Sequence, residues 1–245
     1  MAQVNKICLI GFPRSRSSFL LESLSRHYDL HTEKSIEDLF HSFRHYNIDE
    51  NEFVKRYAEL LNELDDPNKR FIIRFHPVHL SKRRSKHVDF DLNLILDFDQ
   101  YNFSQYDKIY FSTRNLVDQI CSLFVAAKTG IWTYKKDNGT RPLSKLEGWI
   151  IEENAGMIFN ALGDQIIVDQ LEQYLKRNNI SYEVLDYDNI VTYAEKNGLP
   201  VKEISHLETH YDYSKIILNY DQLPQYVEVS RKSMSYFNQA IRLPS

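Results

Sequence analysis

The opening segment of this chain constrains the fold more than any other. Residues 4–11 are a short, largely apolar run ending in Gly11, and Leu20, Leu24 and Tyr28 then recur at helical spacing with Leu21 beside them. A short apolar run closed by Gly and Pro reads as a buried strand, and the spacing after it as a helix packed on a sheet. Between the two lies Gly11-Phe12-Pro13-Arg14-Ser15-Arg16-Ser17-Ser18. A helix start presents N–H groups without intrahelical acceptors and the positive end of a dipole, and both attract anions. Arg14 and Arg16 add planar donors suited to phosphate or sulfate oxygens. Ser15, Ser17 and Ser18 add hydroxyls, and Pro13 belongs to the same turn. The loop lacks the Gly-Lys-Ser/Thr ending of a magnesium-triphosphate loop. The competing reading is a serine-rich helix cap with two surface arginines.

Downstream, strand and helix patterns alternate. Residues 29–33 and 71–75 read as strands, as do 108–112 and 182–187. Residues 36–46, 50–64, 116–129 and 189–196 read as helices. In 50–64 the apolar positions Phe53, Tyr57, Leu60, Leu61 and Leu64 trace one face, ended by Asp66-Pro67. Residues 144–178 read as one or two helices, with Gly156 and Gly163 as breaks, and 225–241 as a helix. Residues 80–86 are basic and expected at the surface. Such alternation predicts an α/β fold with a parallel sheet covered on both faces, which binds ligands at the carboxyl ends of its strands.

The 245 residues suit a single domain over 1–245. Helical segments are expected around 34–65 and 130–178, flanking the ligand-binding side of the sheet. Thirty basic residues against thirty-four acidic ones argue against broad nucleic-acid binding, though not against a local anion pocket. No run approaches the ~20 apolar residues of a membrane span, and the first residues lack a signal-peptide pattern. Cys8 and Cys121 sit in apolar runs without metal-site spacing, so free buried thiols and a cytoplasmic location are expected.

A second constellation lies about a hundred residues on. Arg114 closes the strand at 108–112, and Ser122 follows after seven intervening residues, two turns into the next helix. A dianionic phosphate needs a fixed guanidinium and a hydroxyl donor at a helix start. Two anion motifs, each at a strand–helix junction, point to a ligand that carries two anionic groups. Taken singly, Arg114 reads equally as a partner of Asp118.

Here a resemblance enters. The loop Gly-Phe-Pro-Arg-Ser-Arg-Ser-Ser-Phe-Leu resembles the 5′-phosphosulfate loop of the sulfotransferases, Pro-Arg/Lys-Ser-Gly-Ser/Thr-Thr. Arg114 and Ser122 are similar to that family's 3′-phosphate pair, with Leu116 where Pro is usual. Residues 126–132, containing Thr129-Gly130-Ile131-Trp132, resemble the bacterial carbohydrate sulfotransferases typified by trehalose 2-sulfotransferase. Phe71-Ile72-Ile73-Arg74 is similar to the family's Gly-Val-Lys-Leu strand, and Leu185-Asp186-Tyr187-Asp188 to its late Tyr-Glu-Asp-Leu strand. The last fifty residues or so match no part of it. One departure stands out: Arg16 replaces a glycine, and at positive φ an arginine is costly.

The resemblance implies a P-loop-like three-layer α/β/α sulfotransferase fold, 3′-phosphoadenosine 5′-phosphosulfate as donor, and no metal. It implies a small-molecule or carbohydrate acceptor and allows a homodimer. Pro13, Arg14, Ser15, Arg16, Ser17, Ser18, Arg114 and Ser122 would bind the donor, with Arg14 also stabilising transferred charge. The base of the trehalose-type enzymes is a Glu at the start of the second helix. That favours Glu33, with Glu37, Asp38 and His31 as rivals; His76, at a strand's carboxyl end by the expected acceptor pocket, is a further catalytic candidate. Trp132 would stack on a sugar or adenine, or fill the core. Two other functions remain open at this point: a P-loop small-molecule kinase, and a nucleotide-binding module without catalysis.

Overall fold

A computed structural model of the chain describes residues 3–45, 49–80, 98–129, 149–150, 155–201, 213–215 and 217–241. Strand β1 (Lys6–Gly11) is buried along its whole length. Its Cys8 and Ile10 enter one apolar cluster and its Ile7 and Leu9 another. β3 (Phe71–Phe75) and β4 (Lys108–Thr113) alternate in the same way. Phe71, Ile73, Phe75, Ile109 and Phe111 join the first cluster, Ile72 and Tyr110 the second. Strands apolar on both faces require helices on both.

On the first face lie α2 (Ser35–His45), α3 (Glu50–Leu64) and the later half of α5 (Ala155–Arg177), through Ile36, Phe40, Phe53, Leu61, Leu171 and Leu175. On the second lie α1 (Ser17–Tyr28) and α6 (Ile190–Lys196), through Phe19, Leu20, Leu24, Ile190 and Ala194. The chain is therefore α/β, with helices on both sides of a central sheet.

With β2 (His31–Glu33) and β6 (Glu183–Asp186), the sheet has five strands in the order β2-β3-β1-β4-β6, every pairing parallel. From β1 the chain goes first to the sheet edge at β2, returns inward to β3 beside β1, then crosses to β4 and β6 on the other side. The reversal falls between β1 and β4. Loops diverge there at the strands' carboxyl ends, which opens the crevice where such sheets bind ligands. The register sets Ile10 beside both Phe75 and Phe111, so β1, β3 and β4 end nearly level.

Beyond the sheet, α4 (Leu116–Thr129), the first half of α5, β7 (Ile217–Leu218) and α7 (Leu223–Ile241) share a third apolar cluster that includes Ile120, Phe124, Leu162, Ile217 and Leu223. The expectation for residues 144–178 needs correction here. Trp149–Ile150 forms a short strand, β5, paired in parallel with β7. α5 then runs from Ala155 to Arg177 without interruption. Gly156 and Gly163 do not break it: a methyl group at either would meet nothing within 4 Å, so these glycines answer to no close approach. α6 ends as expected, with Gly198 at φ +66°. Both cysteines are free and buried. Residues 81–97, Trp132 and most of 130–154 lie outside the described residues, and with them the basic stretch 81–86 and much of the expected acceptor side. Among the described residues no helix is long and apolar enough to cross a membrane.

Candidate functional site

The loop after β1 is shaped by close approach and by alternating backbone sign. A Cβ on Gly11 would stand 2.4 Å from Ser17 Cβ and 2.8 Å from Ser17 Oγ, so only glycine lets α1 start this near the strand end. Pro13 is held at negative φ by its ring. Arg14 lies at φ 67° and Arg16 at φ 61°, with Ser15 between them on the negative side. Alternation of this kind is the backbone pattern of an anion-receiving nest, with the Ser15 N–H itself turned back to Phe12 O at 3.3 Å. Arg16 is also the N-cap of α1, and its side chain makes no cap bond there. The first-turn N–H groups of α1 are thus left without a cap from Arg16. Arg16 thus keeps the left-handed geometry a glycine would give, at a cost of about 1–2 kcal/mol.

The three loop serines have different duties. Ser15 is fully buried; its hydroxyl donates to Phe12 O at 2.7 Å, and Ser112 Oγ donates to Ser15 O at 2.6 Å. It fastens the loop to β4 from beneath, whereas the sequence places it among the anion donors. Ser17 is buried under Gly11. Ser18 is exposed and accepts from Arg74 Nη1 at 2.7 Å.

The second constellation adjoins the first. Asn115 Oδ1 caps α4 by accepting from the N–H of Val117 at 2.9 Å. Arg114 Nη1 donates to Arg14 O at 3.0 Å and Nη2 to Tyr213 Oη at 3.3 Å. Arg14 Nε in turn donates to Ser122 Oγ at 2.9 Å. Arg14, assigned by spacing to one anion, thus bonds the serine assigned to the other. Ser122 is buried and, having accepted from Arg14, still has its own proton to donate. Arg114 Nε is a buried donor with no acceptor among the described residues, as is the amide nitrogen of Gln119.

The candidate proton acceptors separate clearly. Glu33 Oε1 accepts from the N–H of Ser35 at 2.8 Å, at the start of α2. Burial, the largest influence, pushes its carboxyl upward. The N–H and hydroxyl of Ser35, the charge of His31 and the N–H of Lys34 outweigh it and hold the group below its ordinary range. Glu37 pairs with Arg74 at 2.7 Å, both side chains largely shielded. His31 and Asp38 are exposed. His76, just past β3, sets its Nδ1 2.7 Å from Gly11 O. A carbonyl only accepts, so Nδ1 carries the proton and the lone pair lies on Nε2.

Three partners have no anion-binding signal in the sequence. Ser112 and Tyr213 are unremarkable in their segments. Tyr187, just past β6, matches a family strand without an evident role. It carries the guanidinium carbons of Arg16 and Arg114 over its ring at 3.9 and 4.0 Å from the centroid.

Together these features define an α/β protein with clustered arginines and serines at the switch point of a parallel sheet, a candidate anion site. No protein-family model matches the chain, and no curated protein matches it. Its function has to be read from these residues.

Proposed function

We propose that the chain is a sulfotransferase of the P-loop-like three-layer fold, moving a sulfuryl group from 3′-phosphoadenosine 5′-phosphosulfate to a hydroxyl of a carbohydrate or other small metabolite. One observation carries this reading. The nest after β1 and the Arg114–Ser122 pair after β4 stand on adjacent strand ends and are bonded to each other through Arg14. A nucleotide with anionic groups at both ends of its ribose suits two such neighbouring sites, whereas ATP carries its charge in a single polyphosphate arm. The residues fit that donor: the nest and Arg14 suit the phosphosulfate, and the buried Arg114 Nε and the Ser122 hydroxyl suit the second phosphate.

The donor supplies an activated sulfuryl group on a phosphate leaving oxygen. Arg14 and the loop N–H groups stabilise the charge that develops as the sulfur–oxygen bond to that phosphate breaks. The acceptor hydroxyl must lose its proton as it attacks. His76 serves this best, because its Nδ1 bond to Gly11 O sets the ring against the loop and puts the basic lone pair on Nε2. Glu33, favoured by the sequence, is committed to the start of α2, and Glu37 to Arg74.

The test has two arms. Calorimetry should find adenosine 3′,5′-bisphosphate bound more tightly than ADP; ADP bound well with no bisphosphate binding rejects the donor. Radiolabelled sulfuryl transfer to a panel of sugars should fall about 10²–10⁴-fold in His76→Ala. A parallel fall in Glu33→Gln with His76→Ala unaffected returns the base to Glu33. A second reading, a donor-binding protein without transfer, draws on the engagement of both carboxylates. It predicts bisphosphate binding with no transfer to any acceptor.

A further inference from the structure

Arg16, from the loop after β1, and Arg114, from the end of β4, reach the same aromatic ring. Tyr187 follows β6, and its N–H donates to Thr113 O at 2.9 Å, which anchors its backbone to β4. Arg16 Nη1 donates to Tyr187 O at 3.0 Å. The two guanidinium carbons lie 3.9 and 4.0 Å from the ring centroid. Two planar cations that close to one centroid would overlap on a single face, so they take opposite faces, no more than about 8 Å apart. Like charges so near repel, and the negative faces of the ring offset that repulsion. With both faces covered, the ring offers no surface for stacking a nucleobase.

Arg114 therefore has three restraints on its plane: the ring of Tyr187, Arg14 O and Tyr213 Oη. Its buried Nε has no acceptor among the described residues, so the held guanidinium retains a donor for a ligand oxygen. Arg16 closes the other face of the ring, and does so from a strained left-handed backbone.

From this arrangement we infer that Tyr187 and Arg16 are positioning residues for recognition of the donor's second phosphate. The Arg16–Tyr187–Arg114 stack fixes the Arg114 guanidinium and gathers two cations for a dianion. This rests on the donor reading above, and it gives the loop arginine a role in reading the far end of the nucleotide.

The experiment measures one ratio by calorimetry: affinity for adenosine 3′,5′-bisphosphate over affinity for adenosine 5′-phosphate. The unmutated protein should favour the bisphosphate. Arg16→Gly and Tyr187→Leu should each lower the ratio at least about fivefold, the larger loss falling on the bisphosphate. Arg16→Lys should behave like Arg16→Gly, since an ammonium has no plane to stack. Tyr187→Phe should keep the ratio. If Tyr187→Leu fails to fold, Arg16→Gly still decides, because glycine adopts the required backbone freely. An unchanged ratio in Arg16→Gly, or equal losses for both nucleotides, overturns the stack while leaving the donor reading intact. A protein that shows no preference for the bisphosphate before mutation overturns both.

Discussion

Replacing Gly11 by alanine should damage the protein at the junction that builds the loop. The added methyl would sit 2.4 Å from Ser17 Cβ and 3.4 Å from Arg74 Cδ. Carbon atoms rest at about 3.5–4.0 Å, so Ser17 has to retreat by about 1 Å. Ser17 is the first residue of α1, and Phe19, Leu20 and Leu24 hold that helix against the sheet. The retreat is therefore resisted by packed core and not absorbed by a flexible side-chain end. Overpacking of this kind costs about 1–3 kcal/mol. At roughly 2–4 °C per kcal/mol for a chain of this size, the melting temperature should fall by about 2–12 °C. Calorimetric melts of Gly11→Ala, Ser17→Gly and the double variant give the direct assay. Ser17→Gly removes the atom that clashes, so the double variant should recover at least about 1 kcal/mol relative to the sum of the singles. A Gly11→Ala melt indistinguishable from the unmutated protein, or a strictly additive cycle, would refute the close approach.

Glu33 should contribute to acid stability. Its carboxyl is lowered from 4.5 in the folded protein, so the unfolded chain binds the proton more tightly. The contribution is complete above pH 4.5 and is lost as pH falls through the lowered folded value. Urea titrations should show a flatter acid limb in Glu33→Gln, and an unchanged limb would remove the carboxylate from that role. The thiols give an independent check on packing. Burial pushes Cys121 up to about 12, with Asp118 adding to it, and pushes Cys8 higher still. At mildly alkaline pH Ellman's reagent should label neither in the folded protein and both after unfolding. Rapid labelling of folded Cys121 would contradict the seating of α4.

Where local signals are strong, the sequence locates the elements well. The strand at Phe71–Phe75 and the helix at Leu116–Thr129 match their expected limits. Each is bracketed by a punctuating residue, Pro77 for the strand and the capping Asn115 for the helix. Trp149–Ile150 was not legible as a strand. Its partner is Ile217–Leu218, far along the chain, and an apolar pair beside helical residues shows no period of its own. The same limit applies inside the site. Ser15 looks like an anion donor in a serine-rich loop, and only the arrival of Ser112 from β4 makes it an internal fastener. Arg16 was legible as a departure. The side chain's destination at Tyr187 was not, because 171 positions separate the two.

The bond between Arg14 and Ser122 changes how the two anion sites relate. Read through the family resemblance, each motif is complete and separate: a loop for one end of a nucleotide, a strand–helix pair for the other. In the fold they share a wall. Arg14 presents its side chain to Ser122 and its carbonyl to Arg114, while Ser15 and Ser112 tie the same loop to the strand that carries Arg114. Ordering one site orders the other, because the loop cannot shift without disturbing both the guanidinium and the serine of the second site. Losses at contacting positions of this kind are not additive. This coupling also explains why an arginine is tolerated where glycine would suit the backbone. Its strain falls on the one segment already braced by β4, and its side chain returns a stacking contact and a hydrogen bond at Tyr187.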